Sequence, residues 1–121
     1  MARILFVDDE EMVRVLATLV LRQIGHDVQL ANNGLEALRI VKLDVPEILI
    51  TDLNMPQMTG LQLIQAARRD LPHLPIIALS AHLDYVYAAL QLNRIYPLKK
   101  PFDKQQLHEA IELAISVEYQ V

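Results

Sequence analysis

The chain has 121 residues, 53% of them apolar and 21% charged, with a formal net charge of -4 and no cysteine. One domain spanning 1–121 fits that length, and the apolar share is enough to close a core, which argues against disorder. An acidic chain without a basic stripe is not expected to bind nucleic acid directly, and the missing cysteines exclude disulfides, thiolate zinc sites and cysteine nucleophiles.

Ile4 to Val7 is an apolar run that stops at Asp8, Asp9 and Glu10, as a buried parallel strand stops on meeting solvent. Val13, Leu16, Val20 and Ile24 then recur at helical spacing, with Gly25 placed to end that helix. Val28 to Ala31 predicts a second strand, Asn32-Asn33-Gly34 a turn and cap, and Leu35, Leu38 and Val41 a second helix. A third strand, Ile48 to Thr51, ends at Asp52; a loop through Pro56 and Gly60 leads to a helix carrying Leu61, Ile64 and Ala67, closed off by Pro72 and Pro75. Ile76 to Ser80 is the fourth strand, with Leu83, Val86 and Leu90 spaced for a fourth helix. Ile95 to Leu98 is a weaker fifth strand, leading through Lys99, Lys100 and Pro101 to a helix with Leu107, Ala110, Ile111 and Ala114.

No apolar run approaches the roughly 20 residues of a membrane span, and acidic residues from Asp8 onward leave no space for a secretory signal, so a cytoplasmic location without membrane contact is expected. Five alternating strand–helix pairs predict an α/β fold: a doubly wound, five-stranded parallel sheet covered on both faces. Ligands in such sheets bind beyond the carboxyl ends of the strands. Asp8 and Asp9 follow the first strand, Asp52 the third, Ser80 ends the fourth, and Lys100 follows the fifth. If the first and third strands are neighbours, three carboxylates converge, and their repulsion calls for a hard divalent cation. Magnesium suits oxygen ligands and keeps several waters; Asp9, Asp52 and the carbonyl of Asn54 are assigned to it, with Asp8 holding a metal-bound water. Metal and Lys100 together would neutralise the carboxylates and admit an anionic phosphoryl group. Taken singly, the acids could be helix caps, Ser80 a strand-end cap and Lys100 a solvated charge; their joint placement favours a site.

The segments Phe6-Val7-Asp8-Asp9-Glu10, Asn33 to Leu38, Asp52 to Gly60, Ile77 to Ala81 and Lys100-Pro101-Phe102 closely resemble the CheY-like receiver domains of two-component signalling response regulators, across essentially the whole chain. The resemblance implies a flavodoxin-like (βα)5 fold of strand order 2-1-3-4-5. It also implies that Asp52 accepts a phosphoryl group from a sensor histidine kinase, a phosphotransfer protein or a small donor such as acetyl phosphate. On the same basis Ser80 donates its hydroxyl to the new phosphoryl oxygen, Ala81 leaves that group space, Gly60 and Pro101 are structural, and the Lys100–Pro101 bond is cis. Such a domain is not an enzyme beyond its own phosphorylation and dephosphorylation. It acts through a target or an output domain, and a free-standing receiver and a piece of a larger regulator are both compatible with the sequence.

Receivers usually carry an aromatic residue three positions before the lysine, where this chain has Pro97; Tyr96, one position off, should face the other way. The Gly-Ala pair common before the fifth strand is replaced by Leu92-Asn93-Arg94-Ile95. His82 and Asn54 occupy positions that in the family modulate phosphoryl lifetime. Tyr85 to Leu92 contains no charged residue, and Tyr85, Val86, Tyr87, Ala89 and Leu90 are candidates for a self-association or partner surface. Two rivals are weaker. A haloacid-dehalogenase-like phosphatase needs a second Asp where Asn54 stands, and a flavin module would meet repulsion from Asp8, Asp9 and Glu10.

Overall fold

The computed structural model describes residues 1–55, 58–81 and 94–116. The apolar runs form five strands, β1 (Arg3–Val7), β2 (Asp27–Ala31), β3 (Ile48–Asp52), β4 (Ile76–Ser80) and β5 (Ile95–Lys99). All pair in parallel, in the expected order β2-β1-β3-β4-β5. Four described helices accompany them: α1 (Glu11–Ile24), α2 (Gly34–Leu43), α3 (Gly60–Asp70) and α4 (Lys104–Ser116), the last being the one that the sequence places fifth. The fourth predicted helix, with His82, Tyr85, Val86, Tyr87, Ala89 and Leu90, lies outside the described residues, as does Pro56.

Alternation along the strands divides the core into two layers. Leu5, Val7, Leu49, Ile76 and Ala78 pack with Ala37 and Val41 of α2 and Leu63, Ile64 and Ala67 of α3. Ile4, Phe6, Ile48, Ile50, Ile77 and Leu79 pack with Ala17 and Leu21 of α1 and Leu107, Ile111 and Ala114 of α4. Because both faces of the central strands are covered, their polar chemistry can appear only at their ends.

Local signals set the helix ends. Gly25 takes φ 105 and closes α1 with its N–H on the carbonyl of Arg22. Asn33 caps α2, its Oδ1 accepting the Glu36 N–H at 2.8 Å. Thr59 and Gln62 form a reciprocal capping box at α3, and Asp103 and Gln106 exchange the same pair of hydrogen bonds at α4. On α1 the burial differs from the expected stripe. Ala17 and Leu21 are buried and Val13, Val20 and Ile24 half-buried, whereas Leu16 is 54% exposed beside Met12, Val15 and Leu19. The helix carries two apolar stripes of the same period, and only one faces the sheet.

Arg94 stands where the Gly-Ala pair is missing and adopts φ 58, a left-handed conformation that costs a bulky residue about 1 kcal/mol. Its guanidinium donates to the carbonyls of His73 at 2.9 Å and Ala114 at 3.1 Å, and its own carbonyl accepts the Ile76 N–H at 3.1 Å. These bonds tie the start of β5 to α4 and to the loop before β4, which offsets the strain.

His26 is buried, and its Nδ1 accepts the N–H of Ala2 at 3.0 Å. Burial, then the nearby N-terminal ammonium, lowers its pKa below the ordinary 6.5. Protonation would remove the acceptor that anchors the start of β1. With the native pKa below the unfolded one, the unfolded chain binds more protons in the window just under 6.5. Stability is therefore full above that value and falls as pH drops through the lowered native pKa. In thermal melts at pH 7.5 and 5.5, His26→Asn, which retains an acceptor oxygen, is expected to lose less stability on acidification than the native chain; equal losses would contradict this.

Candidate functional site

Asp8, immediately beyond β1, still runs with the sheet, its N–H reaching the Ala31 carbonyl at 3.3 Å, and is 0% exposed. Asp52 ends β3 and is 5% exposed. Lys100 follows β5 with its N–H on the Ser80 carbonyl at 2.9 Å, and the Lys100–Pro101 peptide is cis as expected. The Lys100 ammonium reaches back between the acids, with Nζ 2.9 Å from Asp52 Oδ2 and 3.2 Å from Asp8 Oδ2. Two acids that lie 92 and 48 positions from Lys100 in the chain thus share its one cation. The other oxygens are also held: Asp52 Oδ1 accepts the Asn54 N–H at 3.0 Å and Asp8 Oδ1 the Glu10 N–H at 2.9 Å.

Gly60, first residue of α3, donates its N–H to the Leu53 carbonyl at 3.2 Å and lies against the backbone of Asp52 and Leu53 so closely that a Cβ would overlap them. Ser80 is buried at the end of β4, while Ala81 is exposed. Lys99 is exposed, so Lys100 is the lysine that enters the site. Tyr96 is half-buried on the face of α1 and α4, packed there with Leu98 and Phe102, and Pro97 on the other side of β5 is exposed. The side chain opposite to the usual aromatic position therefore carries the ring, as the alternation requires.

Burial raises the pKa of Asp52, an effect that the Asn54 N–H and Lys100 oppose and the neighbouring Asp8 charge reinforces. For Lys100, burial alone would lower the value, but the hydrogen bond and charge of Asp52, then those of Asp8, outweigh it and leave the pKa raised. Two carboxylates share a single ammonium here, so the pocket keeps an excess of negative charge. Carboxylate oxygens of Asp8, Asp9 and Glu10 can lie within 4.8 Å of one another, Asp9 and Glu10 being exposed. Hard oxygen donors converging beside a carboxylate short of cations fit a divalent ion such as magnesium. Asn54 is exposed, and the group it presents to Asp52 is its N–H.

The profile of the response regulator receiver domain family matches residues 4–112. The chain belongs to this family. The receiver is 35% identical over 116 residues to the transcriptional regulatory protein GlrR of Escherichia coli, covering 94% of this chain but only 26% of that protein. It is 29% identical over 112 residues to sporulation initiation phosphotransferase F of Bacillus subtilis, covering 91% and 90% of the two chains. The crystal structure of a response regulator receiver domain protein from Clostridium thermocellum superposes with TM-score 0.90 at 31% identity, covering 95% of this chain and 94% of that one. The receiver thus spans about a quarter of the first relative and most of the second.

Of the residues expected from sequence, Asp8 and Asp52 are in direct contact with Lys100, with Asp9, Ser80, Ala81, Asn54 and Pro101 on the adjoining strand ends and loops and Gly60 at the start of α3. Sequence reasoning treated Glu10 only as a cap or a repelling charge and passed over Arg14. The Glu10 side chain makes no cap hydrogen bond, and Arg14 donates to the Asp8 carbonyl at 2.8 Å. A tripeptide of acids was the available signal for Glu10; nothing local distinguishes Arg14.

Proposed function

We propose that the receiver is switched by magnesium-dependent phosphorylation of Asp52, with a histidine kinase or phosphotransfer protein as donor and a target or output domain as reader. The observation that carries this reading is the Lys100 ammonium shared between Asp52 and Asp8 at the strand ends. A carboxylate oxygen of Asp52 attacks phosphorus, a new P–O bond forms, and the bond to the donor's nitrogen or oxygen breaks with its electron pair. Asp9, Asp52 and the Asn54 carbonyl would hold magnesium, with Asp8 positioning a metal-bound water; the ion supplies charge neutralisation for the approaching phosphoryl oxygens. Lys100 then pairs with the phosphoryl group, Ser80 donates its hydroxyl to it, and exposed Ala81 leaves it room. This is chemistry on the receiver's own side chain, not turnover of a separate substrate. His82 and Asn54 are proposed to tune how long the acyl phosphate lasts.

Met12, Val15, Leu16 and Leu19 form an exposed apolar stripe on α1 that begins two residues past Glu10, beside the acids. Leu16 also lines a groove of about 610 Å³ running between α1 and α4 to Lys100. A protein donor that presents a helix to this stripe would bring its phosphohistidine to Asp52. Incubation with magnesium and acetyl phosphate is expected to add one phosphoryl group, by intact mass, to the native chain and none to Asp52→Asn. Leu16→Glu is expected to react normally with acetyl phosphate and to accept poorly from a phosphohistidine protein. An unmodified native chain, under conditions that modify another receiver, would overturn the reading.

A further inference from the structure

We infer that Arg14 is a positioning residue for the divalent cation, acting through the backbone of Asp8; this rests on the reading of the acidic pocket as a magnesium site. Arg14 stands one turn into α1, where the positive end of the helix dipole disfavours a cation. Its place there is explained by what it touches. Its backbone N–H bonds the Glu10 carbonyl at 3.1 Å as the first link of the helix, and its guanidinium turns back to the Asp8 carbonyl at 2.8 Å. One residue therefore grips both ends of the Asp8-Asp9-Glu10 turn.

That grip replaces a missing one. Helix entries are usually fixed by a side-chain cap, yet the Glu10 side chain caps nothing here. Asp8 is held at four atoms: its N–H by the Ala31 carbonyl at 3.3 Å, its carbonyl by Arg14, Oδ1 by the Glu10 N–H at 2.9 Å, and Oδ2 by Lys100 at 3.2 Å. Fixing the Asp8 carbonyl fixes the peptide plane between Asp8 and Asp9, and so the direction in which the exposed Asp9 carboxylate leaves the chain. Of the two assigned side-chain ligands, Asp52 is buried and Asp9 has no buried wall to orient it. Arg14 holds it by way of the main chain, as outer partners of metal ligands commonly do.

The sign of the effect separates this role from simple charge repulsion. Removing a cation beside a magnesium site should tighten binding if Arg14 acts only through its charge, and weaken it if Arg14 orients Asp9. Calorimetric titration of the full chain with magnesium chloride is expected to give Arg14→Met a Kd roughly tenfold above the native value. Arg14→Lys, which keeps the charge and can still reach one carbonyl, is expected to recover part of that loss. The acetyl phosphate reaction of Arg14→Met should need correspondingly more magnesium to reach half its maximal rate. Unchanged or tighter binding by folded Arg14→Met overturns the inference, as does a weakening that vanishes when the titration is run well below the variant's Tm. If Arg14→Met does not fold, Arg14→Lys decides: affinity equal to native counts against the role and an intermediate value supports it. A native chain that binds no magnesium defeats the proposed function itself, and that outcome is distinct from a failure confined to the variants.

Discussion

Replacing Gly60 by alanine is expected to destabilise the receiver by about 3 kcal/mol and to slow phosphorylation of Asp52 at least tenfold. A Cβ on Gly60 would overlap the Asp52 carbonyl oxygen and come within 2.5 Å of the Leu53 Cα and 2.9 Å of the Asp52 carbonyl carbon. These are main-chain atoms, so no rotamer change relieves the overlap. Either α3 lifts away from the sheet or the end of β3 shifts. The first loosens Leu63, Ile64 and Ala67 from the core, and the second moves the nucleophile itself. Thermal melts would register the stability loss, on the order of 10 °C in Tm for a chain of this size. The rate with acetyl phosphate would register the displacement. A variant within about 0.5 kcal/mol of native, reacting at the native rate, would show that the loop accommodates a side chain and does not fix Asp52.

Lys100→Met is expected to cost about 3 kcal/mol at neutral pH in the absence of divalent ions, because it leaves two buried carboxylates without their common partner. The pH dependence follows from the directions of the shifts. In the native chain the Lys100 pKa is raised, so its contribution is fully present below the ordinary value of 10.5 and is lost only as pH rises through the higher native value. Asp52 is raised as well, so the folded state holds its proton more tightly than the unfolded one above 3.8, and that contribution fades as pH rises. Without Lys100, Asp52 should hold its proton more tightly still. The deficit of the variant should shrink as pH falls toward 5, and magnesium should stabilise the variant more than the native chain. Melts with and without chelator at two pH values test both effects. A variant as stable as native at pH 7 in chelator would mean that water already neutralises these carboxylates.

Those features lie at different depths in the sequence. The strands were legible because a parallel sheet buried on both faces demands unbroken apolar runs, and Asp8, Asp52 and Lys100 because each follows such a run. The face of α1 was not: Leu16 shares the helical period with Val13 and Val20, and periodicity gives spacing without saying which side meets the sheet. The Thr59-x-x-Gln62 and Asp103-x-x-Gln106 capping boxes were readable in principle and passed unnoticed. Arg94 and Arg14 were out of reach. A left-handed arginine is tolerable only with the His73 and Ala114 carbonyls in place, and a helical arginine looks like any solvated charge until the Asp8 carbonyl is seen beneath it.

Pro97 lies at the middle of β5, the last strand of the sheet. Lys100 points its N–H toward β4, and successive residues alternate sides, so the nitrogen of Pro97 faces outward and carries no hydrogen. A foreign strand laid along this rim would find its ladder interrupted at the centre. Sheet extension, a common route to unwanted aggregation, is thereby discouraged, and recognition along this edge falls to side chains rather than to main-chain pairing.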